Sequence, residues 1–236
     1  MKKKFRCGII GDGRMATHFC KYLEMSGIKH KQWSRRRNSL EDPVTYLNGS
    51  RAVFLLINDD AIEGFMKKHP GLKEMNPIHF SGSLHVENIP SIHPLMTFSK
   101  ILYPLEKYQL IPFIHENGKV SLREILPELP NPSRSMDVKK KSLYHSLCVL
   151  SGNFTTMLWQ KVFHDFQDKL KLEPELLLPY MEQTFENLNL NWVDALTGPL
   201  ARKDDATIEK NIHALEGDLY QNVYRSFVDT IRKGEV

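Results

Sequence analysis

The stretch Cys7-Gly8-Ile9-Ile10-Gly11-Asp12-Gly13-Arg14-Met15-Ala16 decides the fold. A short apolar run ends in Gly11-x-Gly13-x-x-Ala16, and a helical pattern of Thr17, Phe19, Tyr22 and Leu23 follows. Gly11 permits a tight strand-to-helix turn. Gly13 lets backbone approach a pyrophosphate, and Ala16 lets the helix pack closely on the strand. Free amides and the helix dipole then hold phosphates, with Asp12, Arg14 and Met15 beside them. A lone G-x-G-x-x-A is a weak signal. Here a strand precedes it and a helix follows, which is the context a dinucleotide-binding turn requires.

The next segment bears on which dinucleotide. A second strand-like run, 28–33, ends at Ser34-Arg35-Arg36-Arg37. An NAD site places an acidic residue about 20 residues past the glycines, for the ribose 2′-hydroxyl. No Asp or Glu stands there. Guanidinium groups supply the charge-assisted donors that a 2′-phosphate needs, and Arg35 is also suited to stack on adenine. Ser34, Arg35 and Arg36 therefore point to NADP. The alternative is a solvated basic loop.

Of 236 residues, 41% are hydrophobic and 25% charged, as in ordinary globular chains, and the length allows one large or two modest domains. The net charge of +4 is mild. The basic clusters 2–4, 35–37 and 139–141 are short and far apart, which argues against nucleic acid. Cys7, Cys20 and Cys148 have neither metal spacing nor a paired framework, so a reducing, cytoplasmic setting is expected and no metal site. There is no signal-peptide pattern and no apolar run of about 18 residues, so no membrane span is expected.

Residues 5 to about 115 alternate strand-like runs (6–10, 28–33, 52–57, 77–81, 91–93 and 110–114) with helical patterns at 15–25 and 61–69. That alternation predicts a parallel sheet with crossover helices. Residues 52–57 form a continuous apolar run, as in a strand buried on both faces. Three prolines in 126–132 mark a boundary. Beyond it, Leu143, Leu147, Leu150, Phe154, Met157, Leu158, Val162 and Phe166 predict one long helix over 136–170, buried on a wide stripe. Three more helices are expected at 175–190, 206–215 and 218–232. The fold class is thus α/β: a Rossmann dinucleotide-binding domain over 1–134, then an all-helical domain over 135–236.

Several groups are candidates for chemistry. Ile57, Asn58 and Asp59 end the third strand, where the ligand crevice of such sheets lies, near the ribose of a cofactor. Equally, Asp59 or Asp60 caps a helix beginning at Ala61. Ser81, beside Gly82, and His93 end the next strands. A histidine there is a general acid or a donor to a substrate carbonyl, or else a loop histidine bonded to backbone. His145 and Gly152 are seven apart and share a helical face, with Asn153 one step round. Glycine costs about 1 kcal/mol in a helix interior, so Gly152 implies a close approach. His145 and Asn153 are candidates to donate to a substrate, or form a satisfied interface cluster. Arg202, in the turn before the helix that contains His213, is a candidate anion clamp; Asp204 or Asp205 is a candidate cap for that helix.

Together these pieces resemble one family, the Rossmann-like NADP oxidoreductases with a C-terminal helical domain of unknown function. The features that carry the resemblance are G-D-G-R-M-A, the S-G-S turn at 81–83 and H-P-L-x-x-F-S at 93–99. L-Y-H-S-L at 143–147, S-G-N at 151–153 and T-G-P-L-A-R-K-D at 197–204 complete them. They span nearly the whole chain, and the later motifs are far more specific than the glycine turn. The family is similar to pyrroline-carboxylate reductases, ketopantoate reductases and 6-phosphogluconate dehydrogenases, whose C-terminal domain the helical region resembles. The resemblance implies NADP in the first domain, a small-molecule substrate closed between the domains, and a homodimer built from the helical domain. This chain departs from the family in its shorter loops and in Lys203, where a glycine is common.

The leading expectation is an NADPH-dependent reductase of a small carbonyl or imine compound. His145 leads as proton donor, with Asn153, Ser81 and His93 as supporting groups and Arg202 as clamp. The competing expectation is a non-catalytic NADP(H)-binding regulator or partner protein. No tyrosine–lysine pair of the short-chain type and no isolated carboxylate–histidine dyad speaks against it.

Overall fold

The computed structural model describes residues 6–234; the basic cluster at 2–4 lies outside them. The chain divides into two compact units between Met157 and Leu158.

In the first unit, strands β1 (Cys7–Ile10), β2 (His30–Trp33), β3 (Val53–Leu55) and β4 (Pro77–His79) form a parallel sheet in the order β2-β1-β3-β4. Ile10 pairs with Trp33 on one side and Leu55 on the other, and Leu55 pairs with His79. A parallel bridge from His79 to Ser91 leads to β5 (Ile92–Pro94). β6 (Phe113–Glu116) runs antiparallel to β5, and β7 (Ser133–Met136) runs parallel to β6. The expected parallel sheet thus holds for four strands and reverses at β6.

Helix α1 (Arg14–Met25) follows β1, the short α2 (Pro43–Tyr46) follows β2, and α3 (Asp59–Lys68) follows β3. Alternate side chains of the central strands feed two cores. Ile9 and Phe54 pack with Ala16, Phe19 and Leu23 of α1 on one face. Ile10, Val53 and Leu55 pack with Ile62 and Met66 of α3 on the other. The period of two in the strands and of three to four in the helices makes this a doubly wound sheet.

Two short helices, α4 (Leu105–Gln109) and α5 (Leu122–Ile125), complete the β-rich part. The proline-rich stretch that reads as a boundary is part of this core. Leu126 and Leu129 are buried. Asn131 is buried too: its Oδ1 accepts from the Tyr22 hydroxyl at 2.5 Å, and its Nδ2 donates to the Tyr108 and Ile111 carbonyls. The Tyr108 hydroxyl meets His18 Nδ1 at 2.8 Å. A division at 134/135 would cut β7, whose pairing with β6 continues to Met136.

After β7, α6 (Lys141–Cys148) runs into a π-helical turn at Val149–Phe154 and on into α7 (Thr155–Asp168). The expected helix begins later than 136 and is not uniform. Ser151, Gly152 and Asn153 sit in the wide turn. The hydroxyls of Ser151 and Thr156 donate to the carbonyls of Leu147 and Gly152, at 2.9 and 2.7 Å, within the loosened backbone. The expected buried stripe is also revised: Leu143, Leu147, Leu150, Phe154 and Met157 are all exposed.

The second unit holds the rest of α7, then α8 (Leu178–Leu190), α9 (Gly198–Arg202), α10 (Asp205–Ala214) and α11 (Tyr220–Arg232). No strand occurs in it among the described residues. Asp204 caps α10 by accepting from the Thr207 amide at 3.1 Å. Lys203 adopts φ +55°, the left-handed conformation that favours glycine. Its core is small: Ile208, Ile212 and Val228, with Leu200 and Tyr224 against them. An apolar cavity of about 430 Å³ is lined by Leu158, Val162, Phe166, Leu200, Val223 and Phe227, among others.

Candidate functional site

The glycine turn lies at the carboxyl end of β1. Gly11 has φ +128°, and a Cβ there would sit 2.2 Å from the Leu56 carbonyl oxygen, so no other residue fits. Gly13 is the reverse case. Its φ of −71° suits any residue, yet a Cβ would point into open space with nothing within 4 Å. Gly13 is also the N-cap of α1, and among the described residues no side chain caps that helix end. Free amides beside open space suit a pyrophosphate, so the residues present fit a dinucleotide. Arg14 opens α1 at the surface, Met15 packs partly on the core and Ala16 is fully buried.

At the end of β2, Ser34 is buried while Arg35 and Arg36 are exposed. Asp12 Oδ2 accepts from Ser34 Oγ at 3.1 Å and from Arg36 Nε at 3.0 Å. Gln32 Nε2 donates to the Gly11 carbonyl at 2.9 Å and Gln32 Oε1 accepts from Arg37, which ties β2 to the turn.

The ends of β3, β4 and β5 carry a second polar group. Asn58 occupies the N-cap position of α3 without a side-chain cap bond, so neither Asp59 nor Asp60 is the cap. Instead Asp59 Oδ2 accepts from Ser81 Oγ at 2.5 Å and Ser83 Oγ at 3.2 Å. Ser81 Oγ in turn accepts from the Ser83 and Leu84 amides. This fixes the S-G-S turn with Gly82 at its apex. A Cβ on Gly82 would lie 3.0 Å from His93 Nε2 and 2.9 Å from His145 Cδ2. The two imidazoles therefore meet over Gly82, where any side chain would push them aside. Their ring centres are 6.5 Å apart. His93 Nδ1 lies 2.7 Å from the Tyr144 hydroxyl. Burial, then the neighbouring His145 and Lys141, lowers the His93 pKa to about 4. Burial first, then Cys148 beside it, pushes the Tyr144 phenol up. His93 is therefore neutral near pH 7 and shares a hydrogen bond with the Tyr144 hydroxyl, which also meets Cys148, while its Nε2 faces Gly82.

Beneath this turn lies a network the sequence did not disclose. His79 is fully buried on β4, its Nδ1 accepts from the Ser81 amide at 3.3 Å, and its Nε2 has no partner among the described residues. Burial lowers its pKa to about 4. Lys141 is buried at the start of α6; it donates to the Leu84 carbonyl and to Glu116 Oε1, the latter at 3.1 Å. His85 reaches the same oxygen at 3.1 Å. Burial acts to raise Glu116, but bonds from His85 and Lys141 outweigh it and hold the carboxyl below its usual range. In sequence Lys141 reads as one of three surface lysines, and nothing local marks it as buried.

Ser81, His93 and His145 are thus brought together. Asn153 is exposed in the π-helical turn rather than buried, as are Leu147, Leu150 and Phe154 around it. Arg202 ends α9 in the second unit, exposed, with His213 exposed on α10. Among the described residues, no group of acidic, histidine and cysteine side chains is arranged to hold a metal. No described helix is long and apolar enough to cross a membrane.

Residues 115–231 match the family model of a domain of unknown function, DUF2520. No curated protein sequence is significantly similar to the chain. Solved structures are similar over almost the whole of it. A Bacteroides fragilis protein described as an NADP oxidoreductase matches with a TM-score of 0.76 at 21% identity, covering 96% of this chain and 97% of its own. The imine reductase of Myxococcus stipitatus, in complex with NADP⁺, gives 0.65 at 13% identity, covering 96% and 93%. A reductive aminase from Aspergillus terreus, in complex with NADPH4, cyclohexanone and allyl amine, gives 0.56 at 16% identity, covering 98% and 95%. At such identities the likeness is one of fold. Just under half of the chain thus matches the DUF2520 family model, and the whole shares a Rossmann-like fold with these two-domain oxidoreductases.

Proposed function

We propose that the protein is an NADP-dependent oxidoreductase acting on a small carbonyl or imine compound. The observation that carries this is the uncapped N-terminus of α1 at Gly13, open where a pyrophosphate would lie. The amides at Gly13, Arg14 and Met15 hold the pyrophosphate. Ser34, Arg35 and Arg36 hold the 2′-phosphate, and Ile57 to Asp59 border the ribose. The cofactor supplies the hydride. His93, kept neutral by burial, donates its Nε2 proton in a hydrogen bond to the substrate oxygen or nitrogen, with the Tyr144 hydroxyl at its Nδ1. His145 delivers the proton that balances the hydride. Ser81 and Asp59 hold the turn against both imidazoles.

The chain acts as a homodimer through its helical part. The second unit has a small core but exposes Phe185, Leu188, Trp192 and Val193, more apolar surface than so small a core leaves bare in a monomer.

Titration of the full chain with NADPH, NADP⁺ and NADH, read by thermal shift, tests the proposal. Stabilisation by NADP(H) that is lost in Arg35→Ala/Arg36→Ala supports it. No stabilisation by any nucleotide refutes it. Binding without NADPH oxidation across cyclic imines, ketones and keto acids would favour a non-catalytic binding protein.

A further inference from the structure

Asp12 stands between the two glycines, and its side chain turns to the end of β2. The one oxygen, Oδ2, takes both the Ser34 hydroxyl at 3.1 Å and Arg36 Nε at 3.0 Å. Those are two of the three groups assigned to the 2′-phosphate. Ser34 has a single proton to donate. Its oxygen already accepts from the Arg37 amide at 3.3 Å, and the residue is buried, so the hydroxyl is held toward Asp12. A phosphate oxygen therefore gains Ser34 only by displacing the carboxylate. Arg36 is less committed: Asp12 engages Nε, and the guanidinium keeps its outer donors. A phosphate that shares Arg36 with Asp12 brings two like charges to one cation. An unphosphorylated ribose brings hydroxyls instead, which donate to a carboxylate and suffer no such repulsion.

We infer that Asp12 is a specificity-determining residue. Its carboxylate competes with the 2′-phosphate for Ser34 and Arg36, and so limits how strongly the site prefers NADP over NAD. The inference rests on the nucleotide site proposed above and adds to it a direction: the carboxylate weakens a preference that the basic residues create.

The test is calorimetric titration of the full chain and of Asp12→Asn with NADP⁺ and NAD⁺, and with 2′,5′-ADP and 5′-AMP as fragments of the same end. Asn keeps the size of Asp and removes the charge. The expected result is a rise of about tenfold in the NADP⁺ over NAD⁺ affinity ratio, the loss of one like-charge contact. It comes from tighter NADP⁺ and 2′,5′-ADP binding, with 5′-AMP bound slightly more weakly because its ribose hydroxyls lose a charged acceptor. The gain shrinks between low and high salt, because the repulsion removed is screened. Asp12→Ser gives the same direction if the amide proves unsuitable. In an Arg36→Ala background the part of the gain that runs through Arg36 disappears, while the part that frees Ser34 remains. A ratio that stays flat overturns the inference while leaving the nucleotide site standing. A ratio that falls also overturns it, since Asp12 would then orient Arg36 for the phosphate. If the unaltered chain binds no nucleotide at all, the functional proposal fails and this inference with it.

Discussion

Gly11 and Gly13 are two residues apart, and the same substitution at each should act in opposite ways. At Gly11 an alanine meets two penalties. The backbone sits at φ +128°, which costs about 1–3 kcal/mol for a residue with a side chain. The new Cβ would also lie 2.2 Å from the Leu56 carbonyl oxygen. That carbonyl is backbone, next to an amide held by Ile10 at 2.8 Å, so it cannot swing aside. Forced overpacking adds a further ~1–3 kcal/mol. Gly11→Ala should therefore destabilise the chain by about 3–5 kcal/mol. In urea, at roughly 2–3 kcal/mol per M, the midpoint should fall by about 1–2 M. At Gly13 neither penalty applies, since φ is −71° and the space is open. Alanine is a poorer N-cap but lowers the entropy of the unfolded chain, and these oppose each other. Gly13→Ala should stay within about 1 kcal/mol of the unaltered protein in urea, yet lose at least about tenfold in NADP⁺ affinity by calorimetry, for a Cβ in the pyrophosphate's place costs ~1.4 kcal/mol or more. A Gly11→Ala chain of unchanged stability would refute the steric argument. A Gly13→Ala chain that binds nucleotide normally would refute the placement of the phosphates.

The other expectations concern the buried polar groups and the helical surface. His79 and His93 have folded pKa values of about 4 against about 6.5 when unfolded, so both bind protons on unfolding as the pH falls. Stability should be full above pH ~6.5 and decline toward pH 4, by at most about 1.4 kcal/mol per pH unit for each; urea midpoints across that range, with His79→Gln removing one share, check it. Glu116→Gln leaves the Lys141 charge buried without its carboxylate and should cost about 3–5 kcal/mol, while Lys141→Met/Glu116→Leu should recover much of that, as a double-mutant cycle in urea will read. Leu188→Asp/Trp192→Asp on the exposed helical surface should convert a dimer to monomer in sedimentation velocity, without loss of helix content.

What the sequence disclosed and what it hid follow from how local each cause is. The glycine turn is legible because a steric demand at Gly11 and an open amide end at Gly13 are fixed by neighbours in the chain. The two-face burial of 53–55 shows as an unbroken apolar run for the same reason. β7, Ser133–Met136, is polar and follows three prolines, so nothing local marks it. It is a strand because β6 lies beside it. Asp59 looks like a helix cap, since the hydroxyls it accepts from are 22 and 24 residues away. Of the site candidates, Ser81 follows β4, His93 lies in the short β5 and His145 in the second turn of α6, and the three converge at Gly82. Asn153 does not join them: it sits exposed in a π-helical turn that a period of 3.6 does not reveal. The network of His79, His85, Glu116 and Lys141 is assembled from four separate elements and has no sequence signature.

The buried bond between Tyr22 and Asn131 joins residues 109 apart, and it changes how the chain can be taken apart. The DUF2520 match begins at residue 115, inside β6, and includes β7 and the buried Leu122, Leu126 and Leu129. Those leucines pack on Ile9, Phe19 and Phe54, all outside the match. The segment recognised as a family is therefore not a piece that folds by itself. Expressed alone, 115–231 would present a torn sheet edge and a bare apolar face. On a ribosome, the first unit would wait for residue 131 to emerge before its core could close. The compact units divide further on, between Met157 and Leu158, where sequence similarity draws no line.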